Sequence, residues 1–212
     1  MALFGHSGSQ APQFIHSSVM MIAIILHKVN TLSVTSTQIL THKSMEIAIL
    51  SDIHDNLKNL QKVTDQLIAR GIKTVICCGD FCAPFVMKQF GATGLEIHAV
   101  WGNNDGDRFK LTQIAAQFPN IKLYGEYIGD EDCLLHIDGV RFGATHYHFY
   151  AKAMVKTGWY DVVCFGHSHK VHRQKFGNAL LINPGEVGGI MGPATFAIYD
   201  TQLKGSEIIE IN

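Results

Sequence analysis

Strand-like and helix-like segments alternate three times between Met45 and Pro119, and this alternation restricts the fold more than any other feature. The first helical pattern stops at Gly71, and the second begins with Pro84, which the first turn of a helix tolerates. A β-α-β-α-β-α order predicts parallel strands with helices packed on the sheet. The predicted strands are Glu46–Leu50, Thr74–Cys77 and Ile97–Trp101, and the predicted helices are Leu57–Ile68, Pro84–Phe90 and Phe109–Phe118.

The second half of the chain is predicted to contain mainly short strands, without the regular alternation of strands and helices seen in the first half. Asp138-Gly139 lies between two apolar runs, which is a strong hairpin signal. We therefore predict an α/β fold with mixed, α+β-like sheets, arranged as a β-sandwich flanked by helices. The predicted strands of this half are Cys133–Ile137, Val140–Ala144, Val162–Phe165, Gln174–Phe176, Ala179–Ile182, Thr195–Tyr199 and Ser206–Ile211.

The first 44 residues differ in composition from the rest of the chain. They contain no Asp, Glu or Arg, and their one apolar run, Val19–Leu26, is eight residues long. A transmembrane helix needs about 20 residues, and a secretory signal has basic residues before its apolar stretch. We expect residues 1–44 to be a disordered tail, or a start assigned too far upstream of Met45. Residues 45–212 are then expected to form a single domain.

Composition argues against several classes of partner. The formal net charge is −1, so nothing global attracts nucleic acid or a membrane surface. No obvious Lys/Arg cluster indicates a nuclease groove. The five cysteines are odd in number and contain no C-x-x-C pair, which favours reduced thiols in a cytoplasmic protein over a disulfide framework. A homo-oligomer is left open.

Polar residues suited to metal binding follow the predicted strands. Asp52 and His54 are two residues apart, so both side chains face one side of an extended chain, and His167 and His169 repeat this spacing. Ligands of open α/β sheets bind at the carboxyl ends of the strands. The five pieces are Asp52-Ile53-His54, Gly79-Asp80, Gly102-Asn103-Asn104-Asp105, Thr145-His146 and Gly166-His167-Ser168-His169. Each is common alone, but their order along the chain predicts one metal site.

The order D-x-H, G-D, G-N-x-D, H and G-H-x-H resembles that of the calcineurin-like metallophosphoesterases, in particular their compact, YfcE-like phosphodiesterases. The resemblance extends from about Met45 to the C-terminus and implies the metallophosphoesterase fold. It implies that Asp52, His54 and His169 hold one divalent metal ion, that Asn103, His146 and His167 hold a second, and that Asp80 bridges the two. Imidazole combined with oxygen ligands suits Mn, Ni, Fe, Zn or Co, and the ligand types leave this choice open.

The resemblance also implies an activity. A small phosphate ester, most simply a phosphodiester, would be hydrolysed by a hydroxide that bridges the two ions. The alternative is a non-catalytic interaction module, as in the retromer subunit that keeps this fold. All seven ligand residues are present, which favours the enzyme.

One position departs from the pattern of broadly active family members. These carry His where this chain has Asn104, and an amide cannot deliver a proton to a leaving group. Because general acid catalysis typically contributes about 10²–10⁴-fold, we predict a diesterase in preference to a strong monoesterase. The candidate catalytic residues are Asn104, Asp105 and His148. His148 can face the same way as His146, or it can be an ordinary loop histidine.

Overall fold

The computed structural model describes residues 44–129 and 134–212. The predictions for residues 1–43, and for the start of the strand Cys133–Ile137, concern positions outside these ranges. The first half contains β1 (Glu46–Leu50), α1 (Leu57–Arg70), β2 (Thr74–Cys77), α2 (Pro84–Thr93), β3 (Glu96–Ala99), α3 (Arg108–Ala115), β4 (Ile121–Leu123) and β5 (Tyr127–Ile128). The second half contains β6 (Leu135–Ile137), β7 (Val140–Thr145), α4 (His148–Lys156), β8 (Val162–Cys164), β9 (Val171–Phe176), β10 (Ala179–Pro184), β11 (Thr195–Asp200) and β12 (Gly205–Glu210).

Two mixed sheets are formed by these strands. The first has the order β12-β11-β1-β2-β3-β4, in which β1 to β4 are parallel and β11 is antiparallel to both of its neighbours. The second has the order β5-β7-β8-β10-β9, with β6 paired to β7. In it β8 is parallel to β7 and β10, and the remaining pairs are antiparallel. The predicted mixed α/β architecture is confirmed.

The alternation of side chains along the strands builds the sandwich. In β1, Ile47 and Ile49 join one buried cluster with residues of the second sheet, such as Phe142 and Val162. Their neighbours Ala48 and Leu50 face the opposite side, where α1, α2 and α3 pack. Helix α4 covers the outer face of the second sheet, since its buried residues Ala151 and Val155 cluster with Val163 and Leu181. Each sheet therefore has helices on one face and the other sheet on the opposite face.

Local signals account for the elements that were predicted. The side chain of Asn56 accepts a hydrogen bond from the backbone N–H of Asn59 at 3.0 Å and caps α1, and Gly71 ends that helix with φ +75°. Asp138 and Gly139 both have positive φ, as a two-residue hairpin turn requires. Adjacent Cys77 and Cys78 lie in different buried clusters, as residues on opposite faces of a strand do.

Three elements were not predicted: β4, β5 and α4. The strands have only three and two residues, too few for a period-2 pattern to show. Helix α4 begins after Tyr147, which makes no side-chain capping hydrogen bond, so its sequence lacks the usual start signal. Among the described helices, none combines the length and apolar character needed to cross a membrane.

Candidate metal centre

The five polar pieces meet at the carboxyl ends of β1, β2, β3, β7 and β8. Sharp turns of the backbone bring the side chains inward, and positive φ angles of 46–68° occur at Asp52, His54, Asp80, His167 and His169. Residues other than glycine rarely adopt this conformation, which costs on the order of 1–3 kcal/mol each and is concentrated at functional sites. Five such residues at the strand ends of the two sheets indicate that the fold holds these side chains against their local preference.

Four of the predicted ligands form one tight group. Ligand atoms of Asp52, His54, Asp80 and His169 all lie within 4.8 Å of one another. The Nε2 atoms of His54 and His169 are 3.3 Å apart, and His169 Nε2 is 3.5 Å from Asp52 Oδ1. Ligands about 2.0–2.2 Å from a shared ion are separated by roughly these distances. The geometry of this group fits a divalent metal ion.

Asp52 supplies an independent test of that fit. Its side chain is fully buried, and its Oδ1 atom has no hydrogen-bond donor in the described structure. The other oxygen, Oδ2, accepts a hydrogen bond from the backbone N–H of His167 at 3.1 Å. Burying a charged oxygen without a partner is costly, and a metal ion satisfies such an atom. Asp52 Oδ1, which lacks a hydrogen-bond donor, therefore lies where a bound metal ion would need a ligand atom.

The other three predicted ligands lie on the far side of Asp80. His146 Nε2 is 3.0 Å from Asn103 Oδ1 and 3.4 Å from Asp80 Oδ2. The rings of His146 and His167 are 5.1 Å apart. Because Asp80 Oδ2 is also 3.4 Å from His54 Nε2, this carboxylate lies between both groups. The structure thus brings all seven predicted side chains together, and their role as ligands stays a prediction.

Hydrogen bonds fix the orientation of two imidazole rings. His146 Nδ1 is 2.7 Å from the backbone oxygen of Cys78, and His169 Nδ1 is 2.8 Å from Glu186 Oε2. Both partners accept hydrogen bonds, so each Nδ1 donates its proton and each Nε2 is left with a lone pair directed into the site. Both rings are therefore prepared to bind a metal through Nε2.

The charges at the site favour an ionised Asp80. Burial alone would raise the pKa of this carboxyl, but hydrogen bonds and charge from His146 and Asn104 outweigh it and lower the pKa to about 2. For His146, burial opposes the charged form, and the nearby carboxylate of Asp80 outweighs this and raises the pKa. Burial raises the pKa of Asp52, whose Oδ1 lacks a donor. The two carboxylates thus differ: the fold stabilises the charge on Asp80 and opposes the charge on Asp52.

Asn104 and Asp105 hold the site together through hydrogen bonds. Asn104 donates from its backbone N–H to Asp80 Oδ1 and from its side chain to Asp80 Oδ2, both at 2.8 Å. The buried carboxylate of Asp105 accepts hydrogen bonds from the backbone N–H groups of Asp80, Cys82 and Gly102. Asn104 orients the central carboxylate, and Asp105 ties the loop after β2 to the loop after β3.

His148 is the predicted catalytic residue that lies away from these ligands. It is the first residue of α4, and its ring stacks on Phe165 at 5.0 Å and packs edge-on against His172 at 5.8 Å. Burial lowers its pKa. Among the described contacts of His148, none joins it to a predicted metal ligand, so its catalytic role stays a prediction.

Glu186 is a residue of the site that the sequence reasoning missed. Its side chain is fully buried and accepts hydrogen bonds from the backbone N–H groups of Ile190, Met191 and Gly192 as well as from His169. Burial opposes its charge, and these donors lower its pKa overall. The signal available in the sequence was a carboxylate two residues after the end of β10.

Replacing Glu186 should weaken metal binding. We expect Glu186→Gln to lower metal affinity by roughly 10–100-fold, the usual effect of losing the carboxylate partner of a ligand histidine. Activity should recover at high metal concentration, because no ligand atom has been removed. Activity titrated against Mn²⁺ measures the effect, and Glu210→Gln, an exposed change on β12, is the matched control. An unchanged half-saturating Mn²⁺ concentration would contradict the role given to Glu186.

Imidazole and carboxylate groups gathered at the strand ends of a β-sandwich fit the divalent metal site that a metal-dependent phosphoesterase needs. The family model of the calcineurin-like phosphoesterase superfamily domain matches residues 45–204. The chain belongs to this superfamily, as the motif order predicted. It is therefore a hydrolase that acts on phosphate ester bonds and uses divalent metal.

Similar proteins agree with this membership. Phosphodiesterase MJ0936 of Methanocaldococcus jannaschii is 37% identical over 163 residues, which are 76% of this chain and 95% of the relative. The solved structure of an archaeal phosphodiesterase is 35% identical with a TM-score of 0.71, and the match covers 78% of this chain and 99% of that one. The phosphoesterase YfcE from E. coli is 17% identical with a TM-score of 0.55, over 79% of this chain and 100% of that one. Vacuolar protein sorting 29 from Cryptosporidium parvum is 15% identical with a TM-score of 0.54, over 79% and 96%. The last two show the fold alone.

Proposed function

We propose that this chain is a phosphodiesterase with a dinuclear metal centre. The observation that carries the proposal is the position of Asp80 Oδ2, 3.4 Å from both His54 Nε2 and His146 Nε2. A single carboxylate oxygen between two groups of ligands is what a bridging ligand requires. Asp52, His54 and His169 would hold one ion, Asn103, His146 and His167 the other, and Asp80 would belong to both. The metal identity stays open among Mn, Ni, Fe, Zn and Co.

The seven side chains carry two negative charges, from Asp52 and Asp80. Two divalent ions would therefore leave a local charge of roughly +2, which attracts a phosphate ester despite the net charge of −1. The chemistry that bound divalent ions supply is Lewis-acid activation of a phosphoryl oxygen and of water. The lowered pKa of Asp80 keeps this carboxyl ionised at neutral pH. The ligand histidines must be neutral to bind metal.

Asn104 supports a preference for diesters. Both of its described donors are directed to Asp80, and its amide has no acidic proton to give to a departing alkoxide. The ester group must therefore leave without help from this residue. A diester carries one negative charge less than a monoester dianion and needs less charge stabilisation from the side chains around it.

Hydrolysis of matched aryl esters tests the proposed function. Protein freed of metal and resupplied with Mn²⁺, Ni²⁺, Co²⁺ or Zn²⁺ should hydrolyse bis(4-nitrophenyl) phosphate faster than 4-nitrophenyl phosphate. A chelator should abolish both reactions. If no diester turnover occurs with any of the four ions, the proposal fails.

The missing proton donor also has a kinetic consequence. We expect the rate for aryl methyl phosphates to fall steeply as the pKa of the leaving phenol rises, because no general acid neutralises the departing oxygen. Asn104→His should make the rate less dependent on the pKa of the leaving phenol. The variant should raise the rate for the poorest leaving group by about tenfold or more, relative to its effect on the 4-nitrophenyl ester. Rates measured for a series of substituted phenols give both slopes. If the rate depends equally on leaving-group pKa in both proteins, residue 104 does not determine whether the leaving oxygen is protonated.

The alternative function is a non-catalytic interaction module, since the Cryptosporidium parvum protein keeps the fold at 15% identity. The 37% identity to a phosphodiesterase and the presence of all seven predicted ligand residues favour the enzyme. The hydrolysis assay separates the two. A cytoplasmic location and a single domain at residues 45–212 remain part of the proposal, and a homo-oligomer is left open.

A further inference from the structure

An apolar groove opens beside the metal centre, between α4 and β5. Its volume is about 850 Å³, within the range of about 300–1,000 Å³ that is typical of small-molecule sites. Six aromatic side chains line it: Tyr127, Tyr147, Phe149, Tyr150, Trp159 and Tyr160. We call this feature the aromatic groove. The hydrolytic chemistry described above makes no use of it.

Tyr147 connects the aromatic groove to the metal centre. Its ring centroid is 5.2 Å from that of His146 and 5.2 Å from that of His167, and the same ring forms part of the groove wall. Tyr147 therefore belongs to the groove wall and also contacts two predicted metal ligands, which places the groove next to the metal centre.

The entrance of the groove presents aromatic rings to solvent. Phe149 is 63% exposed and Tyr150 is 50% exposed, and their rings are 4.1 Å apart. The ring of Tyr147 is 5.7 Å from that of Phe149. Contiguous exposed apolar surface of this kind usually contacts a ligand or partner. Planar rings packed at such distances offer faces and edges to another ring.

The charge of the lining determines which part of a substrate fits. Among the described residues that line the groove, Glu126 alone is charged, and it is paired with Arg108 at 2.6 Å. The described lining therefore offers no cation to a phosphate, and an uncharged group fits the groove better than the reacting phosphate or a polynucleotide backbone does.

We propose that the aromatic groove binds a planar aromatic ester group of the phosphodiester substrate. This inference rests on the proposed function, because the phosphate of the same molecule must lie at the metal centre. The chemistry shared by possible substrates is a flat π ring, supplied either by a simple aryl group or by a nucleobase. Phe149 and Tyr150 would set the preference for such esters over alkyl esters.

Binding of phosphonates tests the proposal without any turnover. We expect Mn²⁺-loaded protein to bind phenylphosphonate about tenfold more tightly than methylphosphonate. A factor of this size is expected when one aromatic ring packs against others and buries its apolar surface. The double variant Phe149→Ala/Tyr150→Ala should reduce this ratio to about twofold or less. Both side chains are exposed, so the variant should fold normally. Phe109→Ala, which removes a 74% exposed ring outside the groove lining, is the matched control and should leave the ratio unchanged.

A second pair of probes distinguishes the sources of the ring. Thymidine 5′-monophosphate is compared with deoxyribose 5-phosphate, which lacks the base. If the double variant loses the preference for phenylphosphonate over methylphosphonate, the groove binds an aryl ester. If it loses the preference for thymidine 5′-monophosphate over deoxyribose 5-phosphate, the groove binds a nucleobase. If neither preference exists in the unmodified protein, or if neither changes in the double variant, the proposal is overturned.

Two parallel measurements separate the rival explanations. Hydrolysis of bis(4-nitrophenyl) phosphate in the same samples shows whether the proposed function itself fails, since turnover without ring preference rejects only the groove. Sedimentation shows whether a second copy of the chain covers the groove. A dimer that the double variant dissociates, with unchanged phosphonate ratios, would replace the aromatic ester by a second copy as the occupant.

Discussion

Asp80→Asn is expected to reduce diester hydrolysis by about 10³-fold, because it removes the charge at the one oxygen that both groups of ligands share. Metal binding should fall in parallel. In metal-free protein the variant should also lose unfolding free energy at neutral pH, on the order of 2–3 kcal/mol, since the pKa of Asp80 is lowered from 3.8 to about 2 and each unit corresponds to about 1.4 kcal/mol. In the unmodified protein, the contribution of ionised Asp80 to the unfolding free energy is present above pH 3.8 and is lost as the pH falls towards 2.

The local hydrogen bonds explain why the amide is a poor replacement. Asn104 donates to both oxygens of Asp80, so an amide at position 80 must turn its NH₂ group towards one of these donors. Asp65→Asn is the matched control, since Asp65 is exposed on α1 and its described partner is Gln61. Diester hydrolysis and urea denaturation measure the two effects. Substantial remaining activity would show that Asp80 does not bridge two ions.

Asp52→Asn should also inactivate the enzyme, by about 10²-fold or more, but with the opposite effect on stability. Its charge is fully buried and its Oδ1 atom lacks a donor, so without metal the ionised form is destabilising. An amide removes that charge, and its NH₂ group can donate to His169 Nε2, which is 3.5 Å from the present oxygen. We expect metal-free Asp52→Asn to be more stable than the unmodified protein by about 1–3 kcal/mol at neutral pH.

The pH dependence of that gain follows from the raised pKa of Asp52, whose cause is burial. The folded state destabilises the ionised form, so the penalty is absent below the ordinary value of 3.8 and grows as the pH rises through the raised pKa. The stabilisation by Asp52→Asn should therefore be largest at neutral pH and smallest near pH 4. Urea denaturation of chelator-treated protein at several pH values measures it. A loss of stability at neutral pH would mean that a partner for Asp52 Oδ1 exists without metal.

The strands and helices that carry clear periodic patterns were predictable. Strand β2 has the predicted bounds, Thr74–Cys77, and α1 ends at Gly71 as expected. Helix α2 runs on to Thr93, three residues beyond the predicted end at Phe90, although Gly91 lowers its helix propensity, and it ends where Gly94 adopts a left-handed conformation. Helix α4 could not be predicted, because packing of Ala151 and Val155 on the second sheet stabilises it in place of a capping residue.

For the site, the order of motifs along the chain was enough to name seven residues that the fold brings together. What the sequence could not supply is the contact between distant segments. Glu186 lies 17 residues after His169 and belongs to no recognised motif, so its hydrogen bond is visible only in three dimensions. The sequence showed that Asn104 stands where broadly active family members have histidine. It did not show that Asn104 donates two hydrogen bonds to Asp80. The aromatic groove joins residues of β5 and α4, two of the three elements that were not predicted from the sequence.

The most direct test of the dinuclear centre is a crystal structure of the Mn²⁺-loaded protein with anomalous scattering from manganese. We predict two anomalous peaks per chain, one among Asp52, His54 and His169 and the other among Asn103, His146 and His167. Both should lie within bonding distance of Asp80, about 2.0–2.2 Å from its carboxylate. A single peak at fully saturating Mn²⁺, or two peaks of which only one contacts Asp80, would contradict the proposed centre.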